Sequence, residues 1–184
     1  MNKIFNKNYI FIEQLDKLNK IKLLKLININ IIVDVNEKTE KSNEKELFIV
    51  KFAKKNKIPF IIKNNFRKCF KYNANGIFLD PSNKSRLKPI FNKKNFDIIG
   101  HAHNQREYFL KYNQGCKVIM LSPIFTNIKY TENKLLGILR FNLISAIWKT
   151  KNCALGGINK KNLKRINFTK TLHIASKSSI FDDF

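Results

Sequence analysis

Cys153-Ala154-Leu155-Gly156-Gly157-Ile158-Asn159 holds, in seven residues, a short apolar run, a pair of glycines and a residue type that caps helices. An uninterrupted apolar run of this length suits a strand buried on both faces. The stretch after it, Asn159 to Ile166, has helical spacing. Glycines at such a junction let the backbone approach an anion closely, and a following helix turns free N–H groups toward it. The plain alternative is a tight turn whose glycines serve geometry alone.

The same strand–turn–helix unit recurs along the chain. Apolar runs stand at Tyr9–Ile12, Ile29–Val33, Pro59–Ile62, Gly76–Leu79, Asp97–Gly100, Lys117–Leu121, Cys153–Leu155 and Leu172–Ala175. Polar segments with helical periodicity lie between them. One follows the acidic start Ser42-Asn43-Glu44-Lys45-Glu46, another opens at Asn104-Gln105-Arg106-Glu107, and a third covers Phe141–Trp148. No Pro/Gly-rich linker interrupts the series. Strictly alternating strands and helices predict an α/β fold, a single compact (β/α)8 TIM barrel occupying residues 1–184 as one domain. The chain is short for that fold, which starts at roughly 200 residues. Several outer helices are therefore expected to be shortened, notably those after Asn64 and after Ser178.

In such a barrel the chemistry gathers at the C-terminal ends of the strands. The candidates are Asn36 and Lys38, Asn64 and Asn65, Pro81–Asn83, His101–Asn104, Ser122–Lys129, Gly156–Asn159 and Ser176–Ser179. Barrels often bind phosphate with the loops after their last two strands. Here those loops are Gly156-Gly157 and the serine-rich Ser176-Lys177-Ser178-Ser179, and the pairing favours a phosphate site.

The charge is extreme, 36 Lys+Arg against 13 Asp+Glu for a formal +23. Such a surplus first suggests nucleic acid or an anionic membrane. The cations are spread from Lys3 to Lys177 rather than gathered on one face, and the aromatics do not interleave with them as an RNA platform requires. The reading is therefore a compositional bias toward Lys, Asn and Ile, with phosphorylated small molecules as partners in preference to nucleic acid. Cys69, Cys116 and Cys153 are far apart and show neither a disulfide framework nor zinc spacing. No apolar stretch reaches the ~20 residues that span a bilayer, and Met1–Asn8 lack a signal-like core. A cytoplasmic location without membrane attachment is expected; oligomeric state is not legible.

Several of these segments, in order, resemble the thiamine phosphate synthase family, which includes the thiazole tautomerase TenI. Gly156-Gly157-Ile158-Asn159 with Asn162 resembles its GGI-x-x-x-N segment. Ser122-Pro123-Ile124-Phe125-Thr126, followed by Lys129 and Gly137, is similar to its GP-[VI]-F-x-T-x-x-K…G loop. Ile99-Gly100-His101-Ala102-His103-Asn104 resembles IG-x-S-x-H, Asn75–Leu79 resembles DGVHL, and Glu37-Lys38 the end of R-E-K. The resemblance implies a TIM barrel and a transferase of thiamine biosynthesis. That reaction joins an aminopyrimidine methyl diphosphate to a thiazole phosphate, giving thiamine phosphate and pyrophosphate.

Carried over residue by residue, the resemblance implies that Gly156, Gly157, Ser176 and Ser178 bind the thiazole phosphate. Lys38, Lys129 and Thr126 would face the pyrophosphate, with Asn64 near the pyrimidine. It also implies Mg2+, but the family's aspartates fall within Lys63-Asn64-Asn65 and Pro81-Ser82-Asn83. Asparagine offers a hard dication one neutral oxygen, so Asn64, Asn65 and Asn83 are degenerate metal positions. Lys38, Lys63 and Lys129 could supply charge in the metal's place. Asn36, Ala102 and Ser122 stand where the family has Arg, Ser and Gly.

Two alternatives accompany the transferase. A TenI-like tautomerase needs no metal, only a phosphate anchor and an acid/base group, for which His103 is the candidate; the plain reading of His103 is a local contact at a helix start. A barrel that has lost catalysis and binds a phosphorylated ligand or nucleic acid is the other.

Overall fold

The computed structural model describes residues 6–21, 28–35, 39–85, 96–126 and 135–177. Its core is a closed barrel of eight parallel strands in sequence order. These are β1 (Lys7–Ile12), β2 (Ile29–Val33), β3 (Phe60–Lys63), β4 (Gly76–Leu79), β5 (Asp97–Ala102), β6 (Val118–Leu121), β7 (Lys151–Leu155) and β8 (His173–Ser176). Each coincides with an expected apolar run to within one to two residues at its ends. β8 pairs with β1 through Tyr9 and Ala175, which closes the cylinder. All neighbours are parallel, and the described helices fall between consecutive strands in sequence, as parallel crossover connections require.

The outer layer comprises α1 (Asp16–Ile21), α2 (Glu40–Lys55), α3 (Phe66–Tyr72), α4 (Gln105–Asn113), α5 (Gly137–Ile147) and α6 (Lys160–Leu163), the last running into a 3-10 turn at Lys164–Phe168. Several are as short as the chain length demands, α3 with 7 residues and α6 with 4. The segment after Ser178, where a stub was expected, lies outside the described residues. α2 begins earlier than expected: Thr39, not Ser42, is its cap, and the Thr39 hydroxyl accepts from the Ser42 amide. Ser42 is instead buried, its hydroxyl donating back to the Thr39 carbonyl.

Asparagine, abundant in this chain, starts three of the helices that leave the C-terminal ends of the strands. Asn65, Asn104 and Asn159 cap α3, α4 and α6 through their side-chain carbonyls. Each cap satisfies an orphan N–H and contributes about 1 kcal/mol.

Strand alternation divides the core in two. Tyr9, Phe11, Ile32, Ile61, Phe78, Ile99, Val118, Met120, Cys153, Leu155 and Ala175 fill the inside of the barrel. Their neighbours in sequence, such as Ile10, Ile31, Ile62 and Ile119, face outward and pack under the helices. All three cysteines are buried free thiols.

Candidate active site

Parity along the strands picks out the mouth. Two residues beyond the last inward apolar side chain stand Glu13, Asp34, Lys63, Asp80, His101, Ser122, Gly157 and Lys177. Side chains separated by two share a face, so these residues form the layer above the core, and their contacts show that they converge. Lys63 Nζ lies 2.5 Å from Asp34 Oδ1. Lys177 Nζ lies 3.4 Å from Asp34 Oδ2 and 3.0 Å from Glu13 Oε1. It also sits 5.4 Å above the Phe11 ring. Burial works against the charge of Lys177, but the hydrogen bond to Glu13 and the Asp34 carboxylate outweigh it, and its pKa lies above the ordinary lysine value.

On the adjacent side, burial acts to raise the pKa of Asp80. Hydrogen bonds from Ser82 and Asn64, the charge of Lys63 and the Asn83 amide reverse this and hold it below the usual carboxylate value. Asp80 is thus an anion facing the mouth. Asp34, Asp80 and Glu13 were not among the sequence candidates. Counting two residues past the inward apolar position would have found them.

His101 and His103 stand on the β5 side with ring centroids 4.5 Å apart. His101 stacks on Phe78 at 6.2 Å and its Nε2 lies 2.6 Å from Ser122 Oγ. Burial first, then the charges of His103 and Lys177, push its pKa down to about 3. The ring is therefore neutral at physiological pH. His103 Nδ1 lies 2.9 Å from Glu107 Oε2, and the same oxygen accepts from the His103 amide at 2.7 Å. A carboxylate facing Nδ1 places the proton there in the neutral ring and the lone pair on Nε2. The local helix-start contact expected of His103 is present, and it holds the ring beside His101.

The glycine turn is shaped by the loop after β6. A Cβ on Gly156 would lie 2.9 Å from Pro123 Cα, and one on Gly157 only 2.4 Å from the Thr126 carbonyl oxygen. Both glycines have positive φ, +95° and +69°. The Gly156 carbonyl accepts from the Phe125 amide. In a trans peptide N–H and C=O point opposite ways, so the Gly157 N–H is directed away from the β6 loop. The Gly157 carbonyl accepts from Asn162 Nδ2 at 2.7 Å. Asn162 and Asn159 also cap each other. With only 4 residues, α6 adds little dipole; the turn itself is the structured element. Thr126 is exposed on the loop that closes over Gly157.

Other expected site residues occupy supporting positions. Ser176 has the outward parity; it is buried and donates to the Ile158 carbonyl at 3.1 Å, bracing the glycine turn from behind. Asn64, at φ +53°, accepts from the Asp80 amide and from Asn83 Nδ2. Asn83 Oδ1 accepts from the Ser85 amide, and Asn65 Oδ1 from the Lys68 amide. Lys38, Lys129 and Ser178 lie outside the described residues.

The asparagine geometry decides how well the residues suit a magnesium ion. At each degenerate position the one carbonyl oxygen already accepts from a backbone N–H. Among the described residues, no group of three or more His, Cys, Asp or Glu is placed to hold a metal. The fit is poor, and no chemical step below runs through a metal.

Beneath the mouth, Lys111 on α4 is fully buried and donates to the Asn83 carbonyl at 2.8 Å and to Gln114 Oε1 at 3.1 Å. Gln114 in turn donates to the carbonyls of Asn83 and Ser85. These bonds pin the loop that carries Asp80. Among the described residues no helix is long and apolar enough to cross a membrane.

The family model for thiamine monophosphate synthase matches residues 14–180. No curated protein matches the sequence significantly. Among solved structures, thiamine phosphate pyrophosphorylase from Pyrococcus furiosus superposes with a TM-score of 0.73 at 17% identity, covering 96% of this chain and 89% of that one. A 3-keto-L-gulonate-6-phosphate decarboxylase from Vibrio cholerae gives 0.60 at 11% identity, covering 97% and 88%. A native KDPGal structure gives 0.60 at 11% identity, covering 97% and 85%. At these identities the likeness is one of fold.

Proposed function

The chain belongs to the thiamine monophosphate synthase family, and from that premise we propose that its mouth joins an aminopyrimidine methyl diphosphate to a thiazole phosphate. The carbon–oxygen bond to the diphosphate breaks, and pyrophosphate leaves with the electron pair. The thiazole nitrogen lone pair forms the new carbon–nitrogen bond, giving thiamine phosphate as a thiazolium. No proton needs to move in that exchange. The protein's work is to hold two substrates in line and to neutralise the leaving group.

The observation that carries this reading is the Gly156-Gly157 turn, spread by the β6 loop and braced by Ser176, with the Gly157 N–H turned away from that loop. A thiazole phosphate would sit there, with Ser178 beside it on the evidence of sequence. Lys63 and Lys177 would face the diphosphate, joined by Lys38, Lys129 and Thr126 from sequence. Asn64 would border the pyrimidine. Supplying both precursors to purified protein, with and without Mg2+, tests the reaction. Thiamine phosphate is expected; its absence under both conditions overturns the transferase.

The His103–Glu107 contact favours a second reading, isomerisation of a thiazole phosphate by a TenI-like tautomerase. There His103 takes a proton from one carbon of the substrate and returns it at another. Glu107 keeps the ring oriented. Isomerisation lost on His103→Ala would support it, and isomerisation unchanged in that variant would remove His103 from the mechanism.

A further inference from the structure

The carboxylates at the mouth already have a cation, and it is a lysine. Lys63 Nζ lies 2.5 Å from Asp34 Oδ1, and its charge also acts on Asp80, one strand further round. Lys177 reaches the other oxygen of Asp34 from β8, at 3.4 Å. Two ammonium groups thus reach one carboxylate from opposite flanks and, within a mouth that also holds Glu13 and Asp80, occupy the place beside Asp34 that a dication would take.

Their exposure sets the order in which a ligand meets them. The Asp34 side chain is 2% exposed, whereas those of Lys63 and Lys177 are 18% and 47% exposed. An anion entering the barrel therefore meets the Lys63 ammonium ahead of Asp34, which anchors it from behind, while Lys177 presents its ammonium beside the equally exposed Glu13. An ammonium carries three N–H donors, so the Asp34 contact positions the Lys63 head while the side chain stays partly exposed. A divalent metal approaching Asp34 would have to displace Lys63 or lie against its charge. The asparagine oxygens that might have completed a metal shell are each oriented toward a backbone N–H group.

We propose that Lys63, assisted by Lys177, is the resident counter-ion of the diphosphate subsite, so that this barrel binds a diphosphate group without a divalent metal. The proposal rests on the transferase reading for its substrate class. It replaces a dissociable ion by a covalently attached one, which makes affinity for the diphosphate independent of metal supply. Ionic strength still weakens it, because the lysine heads are partly exposed.

Calorimetric titration of the full chain with inorganic pyrophosphate, in EDTA and in Mg2+, tests this directly. Binding is expected in EDTA, and Mg2+ should change the affinity by less than about threefold. Lys63→Met should weaken it by about tenfold or more, as loss of a charge-assisted contact implies, while Lys63→Arg should retain most of it. Lys45→Met removes the same charge from the exposed side of α2 and should leave binding unaltered, separating a site from the general +23. Pyrophosphate binding that requires Mg2+, or that weakens equally in Lys45→Met and Lys63→Met, overturns the proposal. Thiamine phosphate formed only with Mg2+ would keep the transferase and remove this inference. Metal-free pyrophosphate binding without any thiamine phosphate would do the reverse.

Discussion

His101 Nε2 and Ser122 Oγ lie 2.6 Å apart and tie the ends of β5 and β6 together at the base of the mouth. A serine hydroxyl can donate to or accept from a neutral imidazole, and the surroundings keep the His101 ring neutral. Phe78 lies on one side and His103 and Lys177 add positive charge nearby.

Acid should destabilise the fold through His173, which is buried, and His101, which is partly buried. Burial, then Lys151 and Lys7, lower the pKa of His173 to about 4, as burial lowers that of His101 to about 3. The unfolded chain takes up these protons near pH 6.5 and the folded chain does not. Stability should therefore be full above about pH 6.5 and fall as the pH drops toward the folded values. Between pH 6 and 5 the slope should approach roughly 1.4 kcal/mol per pH unit for each histidine. Urea unfolding at several pH values would measure it. His173→Gln should flatten the curve by close to one proton, and an unchanged slope in that variant would contradict the assignment.

Gly157→Ala should damage both fold and site. It places a methyl group 2.4 Å from the Thr126 oxygen at a φ of +69°. Such strain costs on the order of 1–3 kcal/mol, or else pushes the β6 loop off the turn. Chemical denaturation together with titration of thiazole phosphate would detect loss of stability, of affinity, or of both. A fully stable variant with native affinity would rule out the described packing of loop on turn.

Lys111→Met should loosen the loop that carries Asp80. The substitution keeps most of the stem but removes the donor to the Asn83 carbonyl and to Gln114. Because burial already lowers the pKa of Lys111, part of the loss is offset by no longer burying a charge, and about 1–2 kcal/mol is expected. Hydrogen exchange at Asn83 and Ser85 should accelerate. Unchanged exchange there would show that the loop is held by other contacts.

His103 and Glu107 should act as a pair if the barrel isomerises a thiazole phosphate. His103→Ala should abolish turnover and leave phosphate affinity within about twofold. Glu107→Gln, which keeps a hydrogen-bond acceptor but no charge, should reduce turnover less. Steady-state rates and ligand titrations on the two variants distinguish these outcomes. Equal losses of affinity in both would mean that the pair only shapes the mouth.

Strand positions were readable because a barrel strand buried on both faces leaves an uninterrupted apolar run, and the eight runs stand where the strands do. The mouth was less readable. Proximity to a strand end marks the mouth but not which way a side chain points: Ser176, so marked, has the parity that turns it outward against Ile158. Asp34 and Glu13 went unread because they sit directly after apolar runs and look like the first polar residues of loops. Lys111 could not be anticipated: among so many lysines, nothing in the sequence distinguishes the one that folding buries. The asparagines, read as a degraded metal site, became interpretable only when their oxygens were seen to close caps and turns.

Titrating isotopically labelled protein with thiazole phosphate, and following each backbone amide by NMR, tests most directly whether this mouth is a phosphate site. Saturable shifts are expected at Gly157, Lys177 and His101. No shifts are expected at Lys7 and Asp97, which pair at the opposite end of the barrel. Shifts absent from Gly157, or scattered over the lysines of the outer helices, would contradict the account.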